Sequence, residues 1–362
     1  MLPVGSVKAS IVIPCYNHGH YLTEALASAL SSDFDDYEVI VVDDGSTDES
    51  TLCIIEELKS RFSEKQNVIF ISQENKGLAG ARNNGIKASK GEYILPLDAD
   101  NKIRPHYLKK AAALLDNNPD IGVVYAYAKY IGEKDGFWEF PAFDARRQLL
   151  GNYVEACSVF RRSVWEDCGG YDPNMGIMGY EDWDLWIGAM ERGWKFHLIK
   201  EPLFEYRVVN GSMIGACNVP DNRRHLIKYI CNKHRDLYIK NLEYVVAERD
   251  VKLLETFLYI SDIEGAFRRA ETHIENLDTH IRTLEETSRL SGEHIRNLDE
   301  ALHAKDEHIR SLEEGWHAKD AHIRNLDEVL HAKDEHIRSL DAALNERDAD
   351  LNKINREMLL KD

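Results

Sequence analysis

The chain of 362 residues lacks several features, and each absence excludes a class of protein. No segment approaches the run of about 18 apolar residues that a membrane-spanning helix needs. The 6 cysteines are scattered and form no C-x-x-C pair, which argues against a zinc site and favours reduced structural thiols in a cytoplasmic protein. No signal peptide is expected, because strand-like sequence begins near Ala9.

Basic residues are also in short supply. The chain has 45 Lys and Arg against 63 Asp and Glu, which gives a net charge of −18. Such a surplus of negative charge argues against bulk electrostatic binding of nucleic acid or anionic lipid. A local basic patch could still bind an anionic surface, and residues 223–240 form such a patch.

Proline and glycine nearly disappear from the C-terminal third of the chain. No proline lies beyond Pro220, and only 3 of the 22 glycines lie beyond residue 260, where 9 of the 15 histidines are found. Residues 261–362 hold 15 basic and 25 acidic residues, so −10 of the total charge of −18 lies there. We predict an α/β domain at 1–220, a basic amphipathic helical linker at 221–259, a coiled coil at 260–358 and a tail at 359–362.

Short apolar runs alternate with helix-like segments in the first hundred residues. The runs at 9–14, 37–42, 68–71 and 91–97 are typical of buried strands. This order predicts an α/β sheet whose ligands bind at the carboxyl ends of its strands. A dinucleotide site would need G-x-G-x-x-G after the first strand, and a phosphate loop would need G-x-x-x-x-G-K-[ST]; neither motif is present.

Carboxylates follow two of the predicted strands. Asp43 and Asp44 come directly after the second, and Asp98 and Asp100 after the fourth. A pair of carboxylates two residues apart can hold Mg²⁺ or Mn²⁺, which complete their coordination with water and substrate phosphates. Each motif alone is weak: Asp-Asp-Gly is equally typical of a turn, and Asp-x-Asp occurs often by chance in a chain this acidic.

Four blocks taken together resemble the family 2 glycosyltransferases of GT-A fold. They are Ile11–Asn17, Val39–Asp48, Asn75–Asn83 and Leu97–Asp100, and a later block at 169–186 is similar to that family as well. The blocks occur in the family's order over roughly residues 7–215. The resemblance implies a Rossmann-like nucleotide-sugar-binding domain with a mixed, mostly parallel sheet. It also implies sugar transfer from a nucleotide sugar, with a UDP-sugar favoured, to a carbohydrate or lipid-linked acceptor.

The resemblance further implies roles for individual residues. Asp182 matches the catalytic base of the family, and Glu181 and Trp183 would shape the acceptor side. The residues that would bind the nucleotide sugar are Pro14, Tyr16, Asn17, Asp43, Asp44, Lys76, Arg82 and Asp98.

The same resemblance implies Mn²⁺ or Mg²⁺ as cofactor. Asp100 would be the principal ligand and Asp98 a second one. His225 is a further candidate, because the stretch 205–212 lacks the histidine that relatives often supply. A cation is needed for the charge that develops on the leaving nucleoside diphosphate. A single base on the acceptor side, with a metal-stabilised leaving group, predicts one displacement with inversion, the geometry of inverting glycosidases.

Other interpretations of these residues stay open at this point. Glu181 and Asp182 are also typical of a helix N-terminus, and Trp183 of a core. A catalytically degenerate domain whose coiled coil serves as a scaffold is one alternative for the whole chain. A nucleotidyltransferase on a related sheet is another, but it would need a Gly-rich basic loop that Pro14–Asn17 does not supply.

Residues 223–240 form the local basic patch, with helix-like spacing. This segment could rest on an anionic membrane, which would make the protein peripheral at the inner face of the plasma membrane. Packing against the catalytic domain is the favoured interpretation.

From His294 the chain repeats every fourteen residues, which is two heptads. With Ile295 at position a, apolar residues occupy a from Ile260 to Met358, while d alternates between leucine and a basic residue. This pattern predicts a coiled coil and therefore a homo-oligomer. Position e is acidic and g carries histidine. We hypothesise that pairs such as His308 with Glu313 strengthen the coil when the histidine is protonated.

A role in bacterial surface polysaccharide or glycoconjugate synthesis is expected by analogy only.

Overall fold

The computed structural model describes residues 7–209 and 213–289, and beyond them residues 303, 305–316, 319, 333, 338–339, 342 and 347. The chain divides into two compact units, with the division between Val245 and Val246. The predicted linker at 221–259 is therefore divided as well, and its first half belongs to the first unit. Most of the repeat segment, including His294, His322 and His336, lies outside the described residues.

Four parallel strands form the first half of the sheet, in the order β3-β2-β1-β4. They are β1 (Ala9–Cys15), β2 (Tyr37–Asp43), β3 (Val68–Ser72) and β4 (Tyr93–Pro96). Both faces of β1 and β2 are covered, which explains their nearly unbroken runs of apolar residues. The helices that connect these strands are α1 (Gly19–Leu30), α2 (Glu49–Arg61) and α3 (Gly77–Ala88).

The second half of the sheet contains antiparallel pairs. Its strands are β5 (Lys102–Ile103), β6 (Ile121–Gly132), β7 (Phe137–Trp138), β8 (Val159–Arg161) and β9 (Lys195–Val208). Strand β8 lies antiparallel between β4 and β6, while β9 runs parallel to β6. The described residues thus form one mixed sheet, which confirms the predicted α/β fold class.

The remaining helices lie after the fourth strand. They are α4 (Tyr107–Asn117), α5 (Ala145–Gln148), α6 (Arg162–Cys168), α7 (Glu181–Glu191), α8 (Met213–Cys217), α9 (Pro220–Lys233), α10 (Arg235–Lys240) and α11 (Leu242–Arg289). No helix in the described part of the chain is both long and apolar enough to cross a membrane.

Local sequence explains how closely α3 approaches the sheet. A Cβ at Gly85 would lie 2.4 Å from Val12 Cγ1, so only glycine allows this contact. Helix α2 begins where Asp48 accepts a hydrogen bond from Thr51 N, as an N-cap residue does. Both features hold the loops at the carboxyl ends of β1 and β2 in place.

A second apolar cluster packs beneath α7. Leu226 and Ile230 of α9 are fully buried there, together with Trp183 and Ile187 of α7 and Met175. Burying two aliphatic side chains of this size stabilises the fold by about 3–6 kcal/mol as an upper estimate. The apolar side of the basic segment therefore faces the first unit.

Helix α11 shows a different pattern of burial. Its buried or half-buried apolar positions recur with the spacing of the predicted heptads, and Val251, Leu254 and Leu258 on the other side are exposed. The positions of the heptad stripe are Leu253, Ile260, Ile263, Phe267, Ala270, Ile274, Leu277 and Ile281. A helix is thus confirmed at 242–289, and residues 305–316 are helical too. Its assembly into a coiled coil stays a prediction.

Candidate active site

The carboxyl ends of β1, β2 and β4 meet at one edge of the sheet, because these strands are parallel neighbours. The predicted residues Pro14, Asp43 and Asp98 lie at or just after these ends. This edge is where ligands bind in open α/β sheets. Topology alone therefore brings the first group of predicted residues together.

Asp44 fixes the loop after β3. Its Oδ1 accepts hydrogen bonds from Gln73 Nε2 at 2.6 Å and from the backbone N of Lys76 at 2.8 Å. Asp43 Oδ1 accepts from Ser46 N at 3.0 Å. Both carboxylates thus shape the walls of the site, and their predicted contacts to a nucleotide stay predictions.

Asn17 has a similar structural part. Its φ of 55° is the only left-handed backbone conformation of a non-glycine residue in the described part of the chain. Its Oδ1 accepts from Thr47 N at 2.8 Å and Asp48 N at 3.0 Å, which joins the loops after β1 and β2. The neighbouring Tyr16, in the loop after β1, is 46% exposed. A base could stack on such a ring.

Arg82 connects the two halves of the site. Its side chain is 1% exposed, and it donates to Asp98 Oδ1 at 2.6 Å and to Glu181 Oε1 at 2.7 Å. Burial disfavours the charged guanidinium, but the two carboxylates outweigh it and raise the pKa of Arg82 above its usual value. Arg82 therefore holds the end of β4 against the start of α7, two elements that are far apart in the sequence.

Asp98 and Asp100 suit a divalent cation that takes few protein ligands. Burial and the nearby Asp98 raise the pKa of Asp100 to about 6, and a cation beside both carboxylates would relieve this repulsion. The backbone carbonyl of Asp100 accepts from Arg207 Nε at 2.8 Å, which fixes the turn. The two carboxylates therefore fit Mn²⁺ or Mg²⁺.

His225 does not join them. His225 lies on α9, and its Nε2 is 3.2 Å from the backbone O of Met175. Among the described residues, no three His, Cys, Asp or Glu side chains are grouped so that they could hold a metal ion. The structure thus provides a pair of carboxylates for the predicted metal site, without a third ligand from His225.

Asp182 lies in the first turn of α7 and is 9% exposed. Its Oδ1 accepts from Trp183 N and its Oδ2 from Asn152 Nδ2, both at 2.7 Å. Burial and then the adjacent Glu181 raise the pKa of Asp182 to about 7. A carboxylate with a pKa near neutrality is suited to take a proton from a hydroxyl.

The alternative interpretation, in which these acidic residues mark a helix N-terminus, is compatible with the structure, because Glu181 and Asp182 lie in the first turn of α7 and Asp182 Oδ1 accepts from Trp183 N there. Neither of them is the N-cap residue itself. The N-cap residue of α7 is Tyr180, which makes no side-chain cap hydrogen bond. Glu181 instead pairs with Arg82 and accepts from Gly179 N at 2.6 Å. Trp183 is 2% exposed and donates from Nε1 to Gln148 O at 2.6 Å. Any effect of Trp183 on the acceptor side is therefore exerted through packing under the helix.

Three site residues were not predicted from the sequence. Glu155 lies near the end of β4 because β8 pairs antiparallel with that strand. Burial and then Asp98 raise the pKa of Glu155 to about 8. Asn152 and Gln148 lie in the segment before Glu155. Asn152 donates a hydrogen bond to Asp182, and Gln148 donates one to Asn152. No local sequence signal marks single polar residues in a loop, so only the fold reveals them.

The chain is similar in sequence to known glycosyltransferases. Residues 10–169 match the family model described as Glycosyl transferase family 2. A chondroitin synthase of Escherichia coli is 26% identical over 239 residues, which is 65% of this chain and 34% of that protein. An uncharacterized glycosyltransferase of Rickettsia prowazekii is 26% identical over 272 residues, which is 71% of this chain and 79% of that protein.

The fold is also similar to solved structures. S. aureus TarS 1-349 in complex with UDP-GlcNAc matches with a TM-score of 0.52 and 25% identity, over 62% of this chain and 65% of that chain. S. aureus TarS 1-349 alone matches with a TM-score of 0.50 and 24% identity, over 62% of this chain and 64% of that one. This chain spans about a third of the chondroitin synthase and less than two thirds of the TarS chain.

Proposed function

We propose that this chain, which carries a family 2 glycosyltransferase domain of GT-A fold, transfers a sugar from a nucleotide sugar to an acceptor hydroxyl with inversion at the anomeric carbon. The Arg82 bridge carries this proposal. It holds Asp98 at the end of β4 and Glu181 at the start of α7 within hydrogen-bond distance of one guanidinium. A donor side with strand-end carboxylates and an acceptor side with a base at Asp182 thus face one site.

A UDP-sugar is the favoured donor. The neighbour whose fold matches at 25% identity is described as a complex with UDP-GlcNAc. The relative from Escherichia coli is described as a chondroitin synthase, which favours a place in polysaccharide synthesis. The exposed ring of Tyr16 and the loop held by Asp44 offer a stacking surface and a polar wall for a uracil and its ribose.

The chemistry follows from where the groups lie. The acceptor oxygen forms a bond to the anomeric carbon while the bond to the diphosphate oxygen breaks on the opposite face, which inverts the configuration. Asp182 takes the proton of the acceptor hydroxyl. Mn²⁺ or Mg²⁺, held by Asp98 and Asp100, would neutralise charge on the departing diphosphate. Arg82 holds the two sides together through its ion pairs with Asp98 and Glu181.

The test is a screen of UDP-, GDP- and dTDP-sugars with Mn²⁺ or Mg²⁺, followed by hydrolysis, transfer and thermal shift. We expect Asp182→Asn to lower transfer by about 10²–10⁴-fold while the thermal shift caused by the donor remains. Asp100→Asn should remove the metal-dependent part of that shift. Asp120→Asn, which changes an exposed carboxylate paired with Lys195, is the control and should retain activity. Near-full transfer by Asp182→Asn would contradict the proposal.

We further propose that the helical C-terminal part joins copies of the chain into a homo-oligomer. The heptad spacing of apolar residues along α11 supports this, as does the repeat from His294 onward. Sedimentation of the full chain should show a dimer or larger species, and a monomer would contradict the proposal. An oligomer without nucleotide-sugar hydrolysis would favour the alternative, a catalytically degenerate scaffold.

Peripheral membrane contact through 223–240 is a weaker proposal. Leu226 and Ile230 face the interior of the first unit, so only the basic surface of α9 and α10 is available for anionic lipid. Sedimentation with vesicles of neutral and of anionic lipid tests it. Equal binding to both, or to neither, would remove the membrane contact from the proposal.

A further inference from the structure

Asp182 is held by a hydrogen-bonded side chain outside its own helix. Asn152 lies in the loop between α5 and β8, and its Nδ2 donates to Asp182 Oδ2 at 2.7 Å. The other carboxylate oxygen accepts from Trp183 N at 2.7 Å. Each oxygen thus receives one donor from a fixed direction, and the remaining lone pairs are left for an incoming hydroxyl.

The orientation of the Asn152 amide is determined by its other partners. Its Oδ1 accepts from Gln148 Nε2 at 2.8 Å and from Val154 N at 3.3 Å. Two donors on one side require the carbonyl oxygen there, so the NH₂ group must point at Asp182. Gln148 is fully buried, and its backbone O accepts from Trp183 Nε1 at 2.6 Å. The sequence of contacts from Gln148 to Asn152 to Asp182 therefore begins and ends on elements packed against each other.

We propose that Asn152 is a positioning residue for the base, and that Gln148 sets the orientation of its amide. This inference rests on the proposed function, because it gives a purpose to Asp182 as the proton acceptor. A donor at 2.7 Å stabilises the ionised carboxylate and fixes its plane. Without Asn152, the hydrogen bond from Trp183 N would be the remaining one of these two contacts.

The charged surroundings make such a donor necessary. Burial, the adjacent Glu181 and the more distant Asp98 all disfavour the ionised form of Asp182, while Arg82 and the hydrogen bond from Trp183 N favour it. The other titratable groups that interact with Asp182 are Glu155, Tyr171, Tyr206 and Cys217. The Arg82 guanidinium is already shared between Asp98 and Glu181. The Asn152 amide is therefore the side-chain donor committed to Asp182 among the described contacts.

Substitution at Asn152 tests the proposal cleanly, because this residue is exposed and its replacement should not prevent folding. Asn152→Leu keeps the size and removes both the donor to Asp182 and the acceptor of Gln148 Nε2, so thermal unfolding of the variant is measured alongside its kinetics. We expect kcat at pH 7 to fall about ten- to hundredfold, with the KM for the donor sugar unchanged. The acidic limb of the kcat profile should move up by about one pH unit, so that part of the loss is recovered at pH 9.

Two further variants grade the effect. Asn152→Asp replaces the donor by a second carboxylate and should move the acidic limb further than Asn152→Leu does. Gln148→Met removes one of the two groups that orient the amide and should have a smaller effect than either. Asn117→Leu changes an exposed asparagine at the end of α4 and is the matched control, which should behave as the wild type.

The outcomes separate this inference from the proposed function. If Asp182→Asn abolishes transfer while Asn152→Leu alters neither kcat nor the acidic limb, the positioning role is wrong and the proposed function stands. If Asn152→Leu lowers kcat equally at all pH values and raises the donor KM as well, Asn152 contributes to substrate binding and the inference is overturned. If Asp182→Asn retains transfer, both proposals fail.

Discussion

Charged side chains are paired in two different ways in this molecule. In the first unit, the pair of Arg82 with Glu181 joins residues that are distant in sequence, and both partners are buried. Along α11, the pairs are Arg268 with Glu264 and Arg282 with Asp278, one turn apart and exposed. A buried charge is costly unless it is fully paired, whereas an exposed pair contributes little. The first kind of pair therefore specifies a single arrangement of the site, whereas removing a pair of the second kind would change the stability of the helix very little.

Contacts between buried polar residues that are distant in sequence also occur beyond the active site, around His234. His234 Nδ1 lies 2.8 Å from Glu191 Oε2, and Nε2 lies 3.0 Å from Asp184 Oδ1. Lys233 contacts Asp184 as well, at 2.8 Å. These contacts tie the end of α9 along α7, whose first turn carries Asp182. The segment that the sequence suggested as a linker thus supports the helix of the proposed base.

The largest expected effect comes from breaking the central buried pair. Arg82→Met keeps the volume but leaves the buried Glu181 and the half-buried Asp98 without a cation. We expect the first unit to lose about 3–5 kcal/mol in its free energy of unfolding, and the transfer activity to be lost. Chemical denaturation followed by circular dichroism measures the first effect. A loss below about 1 kcal/mol would show that the bridge does not hold β4 against α7.

A second prediction concerns the cost of keeping Asp182 ionised. Because its pKa is raised to about 7 in the folded protein, above the unfolded value near 4, the folded state binds more protons between about pH 4 and 7. Stability therefore falls as pH rises through this range. Asp182→Asn should be more stable than the wild type at pH 8 by about 2 kcal/mol, and the difference should shrink toward pH 5.

Thermal unfolding of both proteins from pH 5 to pH 8 checks this sign. A variant that is less stable than the wild type at pH 8 would mean that hydrogen bonds to the ionised Asp182 outweigh its burial. The same variant is inactive in the proposed mechanism, so stability and activity should change in opposite directions.

The smallest expected effect lies on α11. Asp278→Asn removes the exposed pair with Arg282, in which Nη2 and Oδ2 are 2.8 Å apart. We expect a loss of about 0.3–0.5 kcal/mol in low salt and none in 1 M salt, where the pair is screened. Helix content on heating, followed at the two salt concentrations, measures it. A loss comparable to that of Arg82→Met would contradict the contrast between the two regions.

Much of the site was accessible to sequence reasoning because it follows strands. Asp43, Asp44, Asp98 and Asp100 stand directly after apolar runs, and parallel strands bring such positions to one edge of a sheet. Asn152 and Glu155 carry no such mark. They reach the site because β8 runs antiparallel to β4, and nothing in their own neighbours encodes that pairing.

The amino-acid sequence by itself determined the periodic features of this protein: the α/β order of the first unit, the carboxylates at its strand ends and the heptad spacing of α11. These depend on neighbours a few residues away, so a pattern of 2 or 3.6 residues reveals them. Only the tertiary structure decided that Arg82 joins Asp98 to Glu181, that Leu226 and Ile230 of α9 pack under α7, and that Asn152 holds Asp182. Buried polar groups must find partners wherever the fold places them, and that placement is a property of the whole packed chain.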